Sequence, residues 1–213
     1  MELQIAADYQ AMSEMAAEMI IQTVQANPGA VISLAGGDTP RLTYAIIVKR
    51  AKEENIDFSK ISFIGLDEWV GVAPENTGSC HYFLQQNILQ PLNLQPGQVH
   101  LFDALADDLP GEVEKINRKV AELGGSDLML VGLGMNGHIG FNEPGASFDG
   151  YAHITKLDEF TQSVGQKYFA SSTELKLGVT LGLKHLLEAR KAILIANGTK
   201  KAAIVKQVLE GEI

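Results

Sequence analysis

Leu128-Met129-Leu130-Val131-Gly132-Leu133-Gly134-Met135-Asn136-Gly137-His138 is the stretch on which the fold turns. Four apolar residues without alternation read as a strand buried on both faces, and the glycines after them mark an abrupt exit. The same pattern recurs at Val31-Ile32-Ser33-Leu34, at Ile61-Ser62-Phe63-Ile64-Gly65-Leu66 and at Ala192-Ile193-Leu194-Ile195-Ala196. Each is expected to be a strand buried on both faces. Between them lie helical patterns. One spans about 11–26 and puts Met12, Met15, Ala16, Met19, Ile20 and Val24 on one face; a second spans about 40–54 and follows Pro40, which suits a first turn. A third runs from Pro110 to Leu123, stopped by Gly124-Gly125, and a fourth from Lys200 to Glu210. This alternation predicts an α/β fold of three layers, a mostly parallel Rossmann-like sheet with helices on both faces, with residues 1–213 as a single domain. Ligands of such sheets bind beyond the C-terminal strand ends, so the loops after Leu34, Leu66, Val131 and Ala196 should gather at one rim.

The composition narrows the partners. The 213 residues are 46% hydrophobic and 20% charged, enough apolar material for a core. The formal net charge of -9 argues against nucleic acid and anionic membranes, both of which select basic surfaces. A small phosphorylated molecule remains compatible, because a few local cations and backbone amides hold one phosphate. The single cysteine, Cys80, allows no intrachain disulfide and gives no support for secretion. Residues Met1 to Asp8 lack the basic and apolar regions of a signal peptide, and no apolar run approaches the roughly 20 residues of a membrane span. A soluble, cytoplasmic protein is expected.

Four turns at the expected rim carry chemistry. In Gly36-Gly37-Asp38-Thr39-Pro40 the glycines let backbone amides approach an anion at a helix start, although a plain strand-to-helix turn would use the same residues. In Leu66-Asp67-Glu68-Trp69-Val70-Gly71 two adjacent carboxylates repel, and burial would raise one toward the range of a general base; a cap or surface turn is the bland alternative. The turn ending in His138 continues through Ile139-Gly140-Phe141-Asn142-Glu143-Pro144, placing a carboxylate five positions beyond an imidazole suited to proton transfer near neutrality. Asn197-Gly198-Thr199-Lys200-Lys201 puts a lysine at a helix start, where the dipole disfavours it unless it answers an anion; taken alone, the motif reads rather as a solvated cationic turn. His81, His100, His153 and His185 show no metal-ligand spacing, and neither a phosphate-loop nor a full dinucleotide motif occurs, so no metal and no cofactor are expected. Cys80 has no activating neighbour in the sequence.

These turns resemble those of the glucosamine-6-phosphate deaminase/isomerase family, which shares a superfamily with the 6-phosphogluconolactonases. The Asn136-Gly137-His138-Ile139-Gly140-Phe141-Asn142-Glu143-Pro144 run is the most specific part, and Glu143 favours the deaminase branch over the lactonases. The resemblance implies deamination and isomerisation of an amino-hexose 6-phosphate. His138, with Glu143 and Asn136, would open the sugar ring, and Asp67 would carry a proton from C2 to C1. Gly36, Gly37, Asp38, Thr39, Glu68, Lys167 and Lys201 would lie against the substrate, the two lysines at its phosphate. Four positions depart from the family pattern: Asn136 stands where some members have aspartate, Lys167 where arginine is common, Trp69 for the usual tyrosine, and Asp38 at a usually neutral place. Galactosamine 6-phosphate as substrate, lactone hydrolysis and non-catalytic sugar-phosphate sensing are the alternatives. The implied partner is a small amino-sugar phosphate, with the chain a monomer or homo-oligomer.

Overall fold

A computed structural model describes residues 2–211; Met1, Glu212 and Ile213 lie outside the described residues. Five parallel strands form the main sheet in the order β4-β2-β1-β5-β8. They are β1 (Val31–Leu34), β2 (Ser62–Gly65), β4 (Val99–His100), β5 (Leu128–Gly132) and β8 (Ala192–Ile195). Period-two alternation assigns their side chains to two cores. Ile32, Leu34, Phe63, Leu128 and Leu130 face one core, with Ala16, Ile20 and Val24 of α1 (Tyr9–Ala26) and Tyr44 and Ile47 of α2 (Arg41–Glu53). Val31, Ile64, Met129 and Val131 face the other, with Val113, Ile116 and Val120 of α4 (Leu109–Glu122). The unalternating apolar runs thus fit a sheet covered on both sides, and each fully buried Ile or Leu contributes about 1.5–3 kcal/mol.

The helix punctuation is local. Asp8 Oδ1 accepts from Ala11 N at 2.8 Å to cap α1, and Asp108 Oδ1 accepts from Gly111 N at 3.0 Å to cap α4. Gly124 and Gly125 end α4 with φ of 80° and 85°, conformations that side-chain-bearing residues rarely adopt.

Three features differ from the expectations. The second strand is shorter than Ile61–Leu66, because the chain leaves the parallel sheet after Gly65. It then enters an antiparallel sheet of three strands in the order β3-β7-β6, formed by β3 (Asp67–Trp69), β6 (His153–Lys156) and β7 (Leu177–Thr180). The last strand, β8, is not buried on both faces: Ala192 and Leu194 are exposed, and only Ile195 is buried. Among the described residues it is the outermost strand, bonded to β5 alone, so its apolar sequence does not report a central position. No helix among the described residues is long and apolar enough to cross a membrane.

One buried histidine makes stability depend on pH. His185, in α6 (Leu183–Glu188), packs on the Tyr151 ring at 4.8 Å, and its Nδ1 has no hydrogen-bond partner among the described residues. Burial pulls its pKa down to about 4, against a partial upward pull from Glu188. The native state therefore keeps the imidazole neutral while the unfolded chain takes up a proton near pH 6.5. Its contribution is complete above that value and is lost as pH falls toward 4. His185→Leu is expected to flatten this limb, removing about 2.5 kcal/mol of the stability lost between pH 7 and 4.5. Urea titrations at both pH values check this, and parallel losses in the two proteins would assign the limb to other groups.

Candidate active site

The loop after β1 passes close to two other elements. A Cβ on Gly36 would lie 3.4 Å from Cys80 Sγ, and Gly37 has φ of 102° with the Tyr168 hydroxyl beside it. Asp38 Oδ2 accepts from Lys167 Nζ at 2.9 Å, and its Oδ1 accepts from Arg41 at 3.3 Å. Partial burial raises the Asp38 carboxyl, but the two cations outweigh it and hold the group below its ordinary pKa. Lys167 sits in the short turn Gln166–Tyr168 that follows α5 (Glu159–Gly165). Lys201, in the turn Thr199–Lys201 that leads into α7 (Ala202–Glu210), donates to the Leu133 carbonyl, which ties the fourth loop to the third. Burial and then the charge of Lys167 lower its pKa, so the two lysines and Asp38 form one electrostatic cluster.

Asp67 opens β3, directly where the chain crosses between sheets. Burial pushes its carboxyl up to about 7, with the Cys80 thiol pulling the other way. Glu68, the neighbour of Asp67 expected against the substrate, is held by backbone amides. Its side chain is buried, with both oxygens engaged. Oε1 accepts from Trp69 N at 2.9 Å and Cys80 N at 3.0 Å, and Oε2 accepts from His81 N at 2.7 Å. Glu68 therefore ties β3 to the start of α3 (Cys80–Leu84). Burial raises it to about 7 although three N–H donors favour its ionised form. The Cys80 thiol is pushed up by burial and by both carboxylates, which disfavours the thiolate a nucleophile requires.

The glycine-rich turn after β5 folds back on itself, with Gly134 N donating to the His138 carbonyl at 2.8 Å. The imidazole lies flat against Gly134, where a Cβ would come within 2.5 Å of the ring Nε2. Nδ1 faces Thr161 Oγ1 at 3.2 Å and Glu143 Oε2 at 3.6 Å. Asn136 Nδ2 donates to Glu143 Oε2 at 2.9 Å, Asn136 Oδ1 accepts from His138 N at 3.3 Å, and Asp158 N donates to Glu143 Oε1 at 3.1 Å. The expected trio of Asn136, His138 and Glu143 is thus in mutual contact. Burial lowers the His138 pKa, assisted by Lys201 and opposed by Glu143, so the ring is neutral at pH 7. The facing carboxylate favours the proton on Nδ1, which leaves Nε2 as the free base.

One buried side chain joins the Asp67 strand to the His138 loop. Thr180 lies opposite Asp67 in the β3–β7 ladder, and its Oγ1 accepts from Phe141 N at 3.2 Å. Asn142 Nδ2 donates to the Leu181 carbonyl at 2.9 Å, pinning the same loop one residue further on. Phe141 packs on Trp69 with ring centroids 4.5 Å apart. The larger indole is accommodated by Gly165, where a Cβ would meet it at 2.7 Å. Sequence reasoning missed Thr161 and Thr180. A hydroxyl within a helix or strand carries no local signal of which distant loop it will meet.

A separate groove of about 730 Å³ lies between α1 and α2, lined by residues such as Glu14, Glu18, Lys49 and Arg50. None of the rim groups reaches it. Among the described residues, no group of three or more His, Cys, Asp or Glu is placed to hold a metal ion.

A neutral imidazole braced by a carboxylate, a second carboxyl raised toward neutrality and a cation cluster, all at the mouth of a parallel sheet, are the equipment of a small-molecule acid–base enzyme. The chain belongs to the family described as glucosamine-6-phosphate isomerases/6-phosphogluconolactonase, which matches residues 5–213. It is 35% identical over 214 aligned positions to the glucosamine-6-phosphate deaminase of Thermoanaerobacter sp. (strain X514), covering 100% of this chain and 85% of that protein. It is 37% identical to the glucosamine-6-phosphate deaminase of Bacillus velezensis, covering 96% of this chain and 86% of that one. A solved structure described as a monomeric glucosamine-6-phosphate deaminase superposes with a TM-score of 0.93 at 34% identity, covering 100% of this chain and 88% of its own.

Proposed function

We propose that this chain converts glucosamine 6-phosphate and water to fructose 6-phosphate and ammonium. Family membership and relatives of that activity at about 35% identity support the reaction. The observation that carries the residue assignment is the shared mount of Asp67 and the His138 loop on Thr180. His138 Nε2 takes the proton of the O1 hydroxyl and returns it to the ring oxygen, which opens the pyranose. Asp67 then takes the proton from C2, giving an enaminol, and delivers it to C1. The resulting imine at C2 adds water and loses ammonium. Lys167 and Lys201 hold the phosphate, with the amides around Gly36, Gly37 and Thr39 beside it. A phosphorylated substrate of this kind fits a cytoplasmic location.

Lactone hydrolysis, the reaction of solved relatives that share only the fold at about 20% identity, requires no base at carbon. Ammonium release from glucosamine 6-phosphate and from galactosamine 6-phosphate, measured side by side from pH 5 to 9, tests the proposal. Asp67 must be ionised to accept the C2 proton. The rate is therefore expected to fall about tenfold per pH unit below an apparent pKa near 7, a value that belongs to the Asp67–Glu68 pair. Release from the galacto epimer alone would reassign the substrate. No ammonium from either sugar, with 6-phosphogluconolactone hydrolysed instead, would replace the reaction.

A further inference from the structure

We propose that Asp38 is a displaceable internal counter-ion of the phosphate grip: it occupies Lys167 and Arg41 until a stronger anion takes its place, and so sets the threshold for anion entry. This rests on the reading of Lys167 and Lys201 as the phosphate-holding cations.

Three observations carry it. The Asp38 carboxylate bridges two cations from different parts of the chain, Lys167 at 2.9 Å and Arg41 at 3.3 Å. Arg41 is itself braced over the Phe83 ring at 4.8 Å. Second, the carboxylate has no structural duty of the usual kind. Asp8, Asp108 and Asp158 each cap a helix by accepting from a backbone amide, whereas α2 starts at Pro40 without any side-chain cap. Among the described residues the Asp38 carboxylate accepts only from the two cations. Third, the pair is open to solvent: the Asp38 side chain is 56% exposed and that of Lys167 is 50% exposed. Exposed ion pairs of this kind are weak, so an incoming dianion can displace the carboxylate cheaply.

An anion bridging Lys167 and Lys201 would gain one cation that is now shared and would meet one negative charge at close range. Singly charged anions gain least from such an exchange. A phosphate dianion, attracted by both lysines, overcomes the resident carboxylate more readily. Asp38 thus lowers affinity for every anion and raises selectivity for doubly charged ones.

The test is titration calorimetry with inorganic phosphate at pH 8 and low salt, using the wild type, Asp38→Asn, Lys167→Ala and the double variant. Asp38→Asn is expected to bind phosphate about 3- to 10-fold more tightly, and most of this gain should vanish when Lys167 is alanine. An unchanged or weaker affinity in Asp38→Asn overturns the proposal, as does an equal gain without Lys167, which would indicate only a general charge effect. Absence of phosphate binding in all four proteins overturns it too. Phosphate binding requires no turnover, so a failure of ammonium release would sink the catalytic reading separately.

Discussion

Asp67→Asn is expected to lower kcat for ammonium release by 10²- to 10⁴-fold, the usual range for removing a positioned general base. It should also abolish exchange of the C2 hydrogen with solvent. Asparagine has nearly the same shape, and the β3–β7 pairing at Thr180 is made by the backbone, so the loop should keep its position. The cation cluster at Lys167 and Lys201 is untouched, and binding of the ketose product should stay within a few-fold of wild type. Deuterium incorporation followed by NMR, together with product titration, separates these effects. Undiminished exchange at C2 would take the role of base away from Asp67.

His138→Gln is expected to have the second largest effect, roughly 10²-fold on the cyclic substrate. An open-chain analogue, which needs no ring opening, should lose much less. The distinction depends on the separate duties of the two groups. His138 is held neutral, with Nδ1 turned toward Thr161 and Glu143, and in the proposed reaction it would act only on oxygens. Asp67 would act only on carbon. Steady-state rates on both substrates measure the ratio, and equal losses would remove ring opening from the histidine.

Much of this was legible before the structure. The strands β1 and β5 are unalternating apolar runs, and both are buried on each face as that pattern requires. The run from Asn136 to Pro144 carried its histidine and glutamate into contact as their spacing suggested. What escaped were consequences of pairing across long distances. Leu177-Gly178-Val179-Thr180 has no strong strand signature, and it becomes β7 because β3 and β6 border it on either side. The duties of Asp67 and Glu68 illustrate the limit well. The two carboxylates look alike in the sequence, and only the approach of α3 across the fold engages Glu68 with the amides of Cys80 and His81. Apolar content also misplaced β8, since an edge strand and a central strand can share one composition.

Thr180 couples order in the small sheet to chemistry at the rim. It is the rivet that keeps the Asp67 strand and the His138 turn in step, while the parallel sheet holds its own shape through a different set of contacts. Should the three-stranded sheet fray first on warming, both proposed proton carriers would drift together, and the molecule would fall silent as a catalyst while most of its architecture still stood.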